Sequence, residues 1–365
     1  MASILSIEAF ILSKRIMKTI IAIIFTIASL QVSAQNSRPQ TPYPPYPYDT
    51  LEYVVHNKID NINLAGTITI PKDIKSVIVM ATGSGSQNRD EELFGHRPFK
   101  VIADFLSRNG YAVLRMDDRG VGGSTGDPST STTNDFTTDI TQAIQSLRDN
   151  ELFKNKPIGV IGHSEGGTIA IKAADKSDFI ITLAAPALPG DSIILTQTKA
   201  ILDASGQAAN WQTIYPTLRQ RYNVVMSNLP ESLLKLQLYN DVVKDIPPVY
   251  LTEAMKDRIM NEITSMASPW YRNFLRYNPT EDIKKVDIPW LALNGEKDLQ
   301  VICDQNLSMI QELNPKAKTI KFDGLNHLFQ ECQTGMVQEY ATIEQTISPI
   351  VLQTILEWLN SITTD

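Results

Sequence analysis

The 365-residue sequence holds only two cysteines and four histidines, and no metal-binding motif or dinucleotide fingerprint is present, so no metal and no cofactor is implied. Nor is there an internal repeat. The formal net charge is -7 and the basic residues are dispersed, so the electrostatic footprint of a nucleic-acid partner is lacking. That pattern reads simply as solubility. Long apolar runs are absent except for Thr19 to Leu30, which is too short for a firm membrane span.

That single apolar run has the surroundings of an export signal. Lys14, Arg15 and Lys18 precede or open it, and Val32-Ser33-Ala34 offers a small-residue cleavage site. Residues 1–34 are therefore expected to be a signal peptide, with Met17 an alternative true start and a retained anchor the competing reading. Cleavage near Ala34 would leave a periplasmic or secreted protein without a stable membrane anchor; no cysteine stands at that site to carry a lipid. Cys303 and Cys332 are an even pair in an exported chain, which permits a disulfide. Two buried thiols are the equal alternative.

Residues 35–50 form a proline-rich lead-in, with five prolines between Arg38 and Tyr48 favouring extended chain. Leu51 to His56 and Ile62 to Ile70 then read as a hairpin. From Ser76 onward strands and helices alternate, the pattern of a mostly parallel central sheet with helices on both faces. Strands are expected at Ser76 to Ala81, Tyr111 to Met116, Pro157 to Ile161, Phe179 to Ala185, Trp290 to Leu293 and Thr319 to Phe322. Helical spacing marks Phe99 to Arg108, Asp135 to Leu147, Asn306 to Leu313 and a last helix after Ser348. The alternation stops over residues 187–277, where helix-like stretches such as Ile193 to Ala204, Leu218 to Ser227, Ser232 to Val243 and Thr252 to Ile263 follow one another. This is a helical insertion into a core of residues 51–186 and 278–365.

Gly162-His163-Ser164-Glu165-Gly166 lies between an apolar strand and a helix. G-x-S-x-G in that setting is a nucleophile elbow, which holds a serine hydroxyl exposed above the sheet. A serine hydroxyl needs a general base, and the base needs a group to fix its tautomer. Four histidines narrow the choice. His163 adjoins the serine with its side chain directed away, His56 lies in the hairpin, and His96 is expected in a solvated loop. His327 follows the last strand, where a loop can reach the elbow. Asp298 is the expected third member, with Glu296 the alternative and Lys297 between them solvated. The backbone N–H groups of Glu165 and Ser84, the latter in the glycine loop after the strand ending at Ala81 and with Gly85 and Ser86 its alternatives, are expected to hold the oxyanion.

The segments Gly83 to Asp90, Asp117 to Ser124, Gly162 to Gly167 and Gly324 to His327 resemble the bacterial α/β-hydrolase esterases grouped with serine aminopeptidases and dienelactone-hydrolase-like proteins. The resemblance covers nearly the whole mature chain; Ser86 stands where the group's pattern has proline. It implies an α/β-hydrolase fold in which the insertion is a helical cap over the site. Trp270 and Phe274, four apart near the core end of the insertion, could line an acyl pocket or pack the cap onto the core. Asp118 and Arg119 are expected to organise the sheet edge without taking part in chemistry. The implied activity is that of a serine carboxylesterase acting on small or medium esters, with Ser164, Asp298 and His327 as triad and a small-molecule ester as partner. A peptidase or amidase using the same triad is the alternative, and an inactive binding protein on the same fold a remote one. Acyl preference and oligomeric state depend on how the insertion's helices are arranged.

Overall fold

The computed structural model describes residues 38–244 and 246–363; the expected signal at 1–34 and the first residues of the lead-in lie outside the described residues. Eight strands make one sheet: β1 (Asp49–Asn57), β2 (Ile62–Ile70), β3 (Ser76–Ala81), β4 (Tyr111–Met116), β5 (Ile158–His163), β6 (Phe179–Leu183), β7 (Trp290–Gly295) and β8 (Lys318–Phe322). They run in the order β1-β2-β4-β3-β5-β6-β7-β8. Only β2 is antiparallel to its neighbours, β1 and β4; every other pairing is parallel. This is the sheet expected of an α/β hydrolase.

The inner strands are apolar on both faces because helices cover both. Alternate residues of β3 show how: Val77, Val79 and Ala81 enter one core cluster, Ile78 and Met80 the other. The first cluster is closed by α2 (Thr133–Arg148), α3 (Glu165–Lys172) and α10 (Cys303–Leu313), through residues such as Ile140, Ile169 and Ile310. The second is closed by α1 (Pro98–Arg108) and, after the short α11 (Val337–Tyr340), by α12 (Pro349–Thr363), through Ile102, Leu106, Ile355 and Leu359. Helix α2 opens with a capping box in which Thr132 N–H donates to Asp135 Oδ2 at 2.8 Å. That cap fixes the position of Thr133 at the site described below.

Five helices lie between β6 and the short α9 (Thr280–Lys285): α4 (Gly190–Ala204), α5 (Trp211–Val225), α6 (Glu231–Val243), α7 (Glu253–Met266) and α8 (Pro269–Arg276). They bury a cluster of their own that includes Leu202, Tyr222, Leu238 and Ile263. The largest departure from the expected helix boundaries here is at the start of α5. Helix α5 starts at Trp211 and runs through Pro216, where the sequence suggests a start at Leu218. The proline forfeits one backbone hydrogen bond, but the extra turns bury Ile214 and bring the Trp211 and Tyr215 rings to 5.1 Å. Helix α8 begins with Ser268 as its cap, accepting from Tyr271 N–H at 3.2 Å.

The lead-in lies along the surface and is tied to the core. Arg38 donates to the carbonyls of Ile343 and Phe94 at 2.8 Å, and the Tyr48 hydroxyl donates to Asp104 at 2.6 Å.

Candidate active site

The parallel strands point their carboxyl ends at one edge, where open α/β sheets bind ligands. Ser164 sits there, between the last residue of β5 and the first of α3, with φ 55° and ψ -119°. A β-carbon on Gly162 would lie 1.9 Å from the Gly166 carbonyl oxygen, and one on Gly166 would lie 2.0 Å from that of Ala81. Both positions therefore require glycine, which is why the turn can be this tight. Strain of this kind persists only where the surroundings over-determine it. Here the Ser164 N–H donates to Leu183 O at 2.8 Å and helix α3 begins at once.

His327 and Asp298 come together from the loops after β8 and β7. His327 Nδ1 is 2.7 Å from Asp298 Oδ2, and both side chains are buried. The other carboxylate oxygen, Oδ1, accepts from the N–H groups of Gln300 at 2.7 Å and Val301 at 2.9 Å. A carboxylate so placed accepts the Nδ1 hydrogen, leaving Nε2 of His327 as the basic nitrogen. Glu296, the alternative acid, instead accepts from the N–H of Gly324 at 3.0 Å and shapes the turn before His327.

Ser164 and His327 share a cavity of about 200 Å³ with Gly83, Ser84 and Glu165. Glu165 N–H is at the first position of α3, where the helix offers no acceptor. Ser84 lies in a loop held from below by acids. Asp118 accepts from the Thr82 hydroxyl at 2.6 Å and the Gln87 N–H at 2.8 Å, and Asp117 accepts from the Arg89 N–H at 2.8 Å. Arg119 faces elsewhere, donating to Asp139 and Asp60 at 2.8 Å and so tying the turn after β4 to α2 and the hairpin. Asp118 and Arg119 thus both hold the sheet edge together through their contacts.

Trp270 and Phe274 on α8 stack at 5.7 Å, and both line the cavity. Trp270 has a polar role as well: its Nε1–H donates to the Glu165 carboxyl at 2.9 and 3.0 Å. The Thr133 hydroxyl donates to the same carboxyl at 2.6 Å. Burial raises the Glu165 pKa against the lowering effect of the hydrogen bonds from Thr133, Trp270 and Ser84. The residue after the elbow serine thus joins α2, α3 and α8 through its side chain.

Sequence reasoning missed Glu91. Its carboxylate accepts from Gly83 N–H at 2.6 Å and faces His163 Nδ1 at 3.0 Å. The sole available signal was an acid eight residues after Gly83, and nothing in it pointed inward. His163 is directed away from the hydroxyl as expected, with its Nε2 3.0 Å from the His327 carbonyl.

Two expectations need correction. His96 is fully buried, bonded to Thr346 at 3.0 Å and to the Tyr340 carbonyl at 2.9 Å, because it starts a crossover helix that the 337–347 segment covers. Burial pushes its pKa down to about 4, so it stays neutral. Lys297 is held rather than solvated: its ammonium donates to the carbonyls of Cys332 at 3.2 Å and Gln333 at 3.0 Å. This contact ties the acid loop to the base loop, and of the two readings of the cysteines the structure has the free thiols. Cys332 turns its sulfur to the Gly324 carbonyl at 3.5 Å, while Cys303 packs into the core, where burial pushes its thiol up to about 12.

Comparison with known proteins places this geometry. Residues 97–331 match the family described as serine aminopeptidase S33. Esterase EstD of Thermotoga maritima is 28% identical over 272 residues, covering 73% of this chain; the chain spans 58% of that relative's length. An esterase of Pyrococcus furiosus superposes with a TM-score of 0.52 at 16% identity, covering 90% of this chain and 98% of its own. The α/β hydrolase GrgF from Penicillium sp. sh18 gives 0.54 at 15% identity, covering 87% of this chain and 100% of its own. At such identities the superpositions speak for the fold alone. The family match takes in every element from α1 to the base loop, and the chain therefore belongs to the serine aminopeptidase S33 family of α/β hydrolases.

Proposed function

We propose that this protein is a serine carboxylesterase that cleaves small or medium esters through an acyl-enzyme on Ser164. Ser164 Oγ attacks the ester carbonyl while His327 Nε2 takes its proton, and Asp298 holds the resulting imidazolium. The N–H groups of Ser84 and Glu165 receive the developing oxyanion; one such donor contributes about 3 kcal/mol to transition-state stabilisation. His327 then protonates the departing alkoxide. Water attacks the acyl-enzyme by the same route and releases the acid. Helices α4 to α8 serve as the cap, and residues 1–34 direct export to the periplasm or outside the cell. Among the described residues no helix is long and apolar enough to cross a membrane.

The observation that carries the choice of ester over peptide is the lining of the cavity. Its two carboxyl groups, Glu91 and Glu165, are both engaged, the first by Gly83 and His163 and the second by Thr133 and Trp270. Neither is left to pair with the ammonium of a free peptide N-terminus. The remaining walls are largely apolar, with Leu93, Phe94, Ile193, Ile194, Phe274 and Leu328 suited to an uncharged acyl chain. Turnover of p-nitrophenyl butyrate should therefore exceed that of aminoacyl p-nitroanilides by at least about a hundredfold in kcat/KM. Equal or faster anilide cleavage would make the protein a peptidase.

The cap supplies a further test. Phe274→Ala should weaken the preference for longer over shorter acyl chains by about tenfold, the loss of one aromatic contact. Labelling of Ser164 by a small fluorophosphonate should stay within about twofold. Equal loss of both would mean that Phe274 holds the fold and does not shape the pocket. Trp270→Ala should also shift the preference, with an added cost from the Glu165 carboxyl left without its indole donor.

A further inference from the structure

His163 and Glu91 lie outside the reacting atoms, yet they touch all the loops that supply them. The contacts form one buried chain. Gly83 N–H, in the oxyanion loop, donates to Glu91 Oε1 at 2.6 Å; the same oxygen lies 3.0 Å from His163 Nδ1; and His163 Nε2 lies 3.0 Å from the His327 carbonyl. His163 is itself the residue before Ser164 and is 7% exposed, while Glu91 is 5% exposed. The His163 and His327 rings are 4.8 Å apart.

The contacts constrain where the protons lie. A carbonyl oxygen can only accept, so His163 Nε2 must carry hydrogen toward His327. Glu91 Oε1 already accepts from Gly83, and a carboxylate there takes the Nδ1 hydrogen as well, which makes His163 an imidazolium with both nitrogens donating. Burial alone would lower the His163 pKa, but the charge and hydrogen bond of Glu91, the His327 carbonyl and the charge of Asp298 outweigh it and raise the pKa. Glu91 is held in place at a backbone cost, with φ 51° in a non-glycine residue. Strain there aims its carboxylate at Gly83 and His163 together.

We infer that Glu91 and His163 form a positioning pair that sets the base loop and the oxyanion loop in register about Ser164. This rests on the esterase reading above. The imidazolium holds the backbone of His327 while the side chain of His327 moves protons. The carboxylate holds Gly83 and so limits where the next N–H, that of Ser84, can point. The polar atoms of both that make these contacts are spent on protein partners, so their loss should lower kcat and leave KM nearly unchanged.

Glu91→Gln is the sharpest variant because it keeps the shape. A glutamine carbonyl that accepts from Gly83 and Nδ1 leaves His163 neutral with a bare Nε2 against the His327 carbonyl; a flipped amide that restores the Nε2 hydrogen deserts Gly83. It should lower kcat for p-nitrophenyl butyrate by about 10- to 100-fold with KM within about twofold, the scale of a sub-ångström to ångström misplacement. His163→Phe should do the same. His163→Gln, which keeps a donor for the His327 carbonyl, should recover at least about threefold over His163→Phe. The rate of fluorophosphonate labelling should fall in parallel with kcat, and the double variant Glu91→Gln/His163→Phe should be little worse than the poorer single one, as for groups that act as one unit. Each variant is read alongside its thermal melt, and if His163→Phe does not fold, Glu91→Gln and His163→Gln carry the test. Unchanged kcat in folded Glu91→Gln, a loss confined to KM, or a glutamine no better than phenylalanine at position 163 would overturn the positioning role. If instead the unaltered protein neither hydrolyses esters nor labels at Ser164, the esterase reading fails first.

Discussion

Ser164→Ala should lower kcat on p-nitrophenyl esters by a factor on the order of a thousand to a million, and His327→Ala by a similar factor. Combining them should cost little more. The hydroxyl and the imidazole act in one event: without the base the hydroxyl stays protonated, and without the hydroxyl the base has only water to activate. Remaining turnover would come from the oxyanion donors and from binding, which neither substitution removes. Both variants should fold, because Ser164 is fixed by its backbone contacts and His327 by the backbone contacts of the loop after β8. A double variant whose loss equals the product of the two single losses would mean that the residues act independently, contrary to the triad.

The second large effect is expected at Asp298. Asp298→Asn should reduce kcat by about a thousand- to ten-thousandfold, because an amide that presents its NH2 to Nδ1 reverses the imidazole tautomer and places the hydrogen on Nε2, where the base must be bare. The surrounding contacts make the reversal hard to avoid. Asp298 Oδ1 accepts two backbone N–H groups, so the asparagine keeps its oxygen there and turns its nitrogen to His327. Glu296→Gln should leave kcat within about twofold, since that carboxylate accepts from Gly324 in an exposed turn. Normal turnover in Asp298→Asn together with loss in Glu296→Gln would transfer the acid's role to Glu296.

Much of this was legible from the chain because the informative signals are local. β3 and β4 were readable to the residue, being mostly apolar stretches ended by turn chemistry, with Arg115 the one charged residue inside β4. The elbow was readable because a serine flanked by glycines between a strand and a helix has few other uses. Order along the chain then drew Asp298 and His327 to one strand edge, where they are found 2.7 Å apart. What escaped the sequence depends on contacts between distant segments. His96 looks solvated beside its acidic neighbours, and it is a core residue through Gln330, Tyr340 and Thr346, the last 250 positions away. Glu91 sits in an acidic run that reads as surface, yet its bond to His163 spans 72 positions. The start of α5 was misplaced because local propensity at Pro216 was overridden by burial of Ile214. Helix α8 showed two aromatics four apart, a spacing equally suited to packing and to a pocket wall; it is also the spacing that lets Trp270 reach Glu165 while Phe274 stacks on it.

The central claim, that Ser164 is the activated nucleophile of this fold, is tested most directly by peptide mapping after treatment with a small fluorophosphonate. The phosphonyl group forms a stable bond only with a hydroxyl that has a working base and oxyanion donors beside it. One adduct per chain should form, located on Ser164, lost in Ser164→Ala, strongly slowed in His327→Ala, and accompanied by full loss of ester hydrolysis. No adduct on the folded protein, or an adduct on another residue with hydrolysis persisting in Ser164→Ala, would contradict the account.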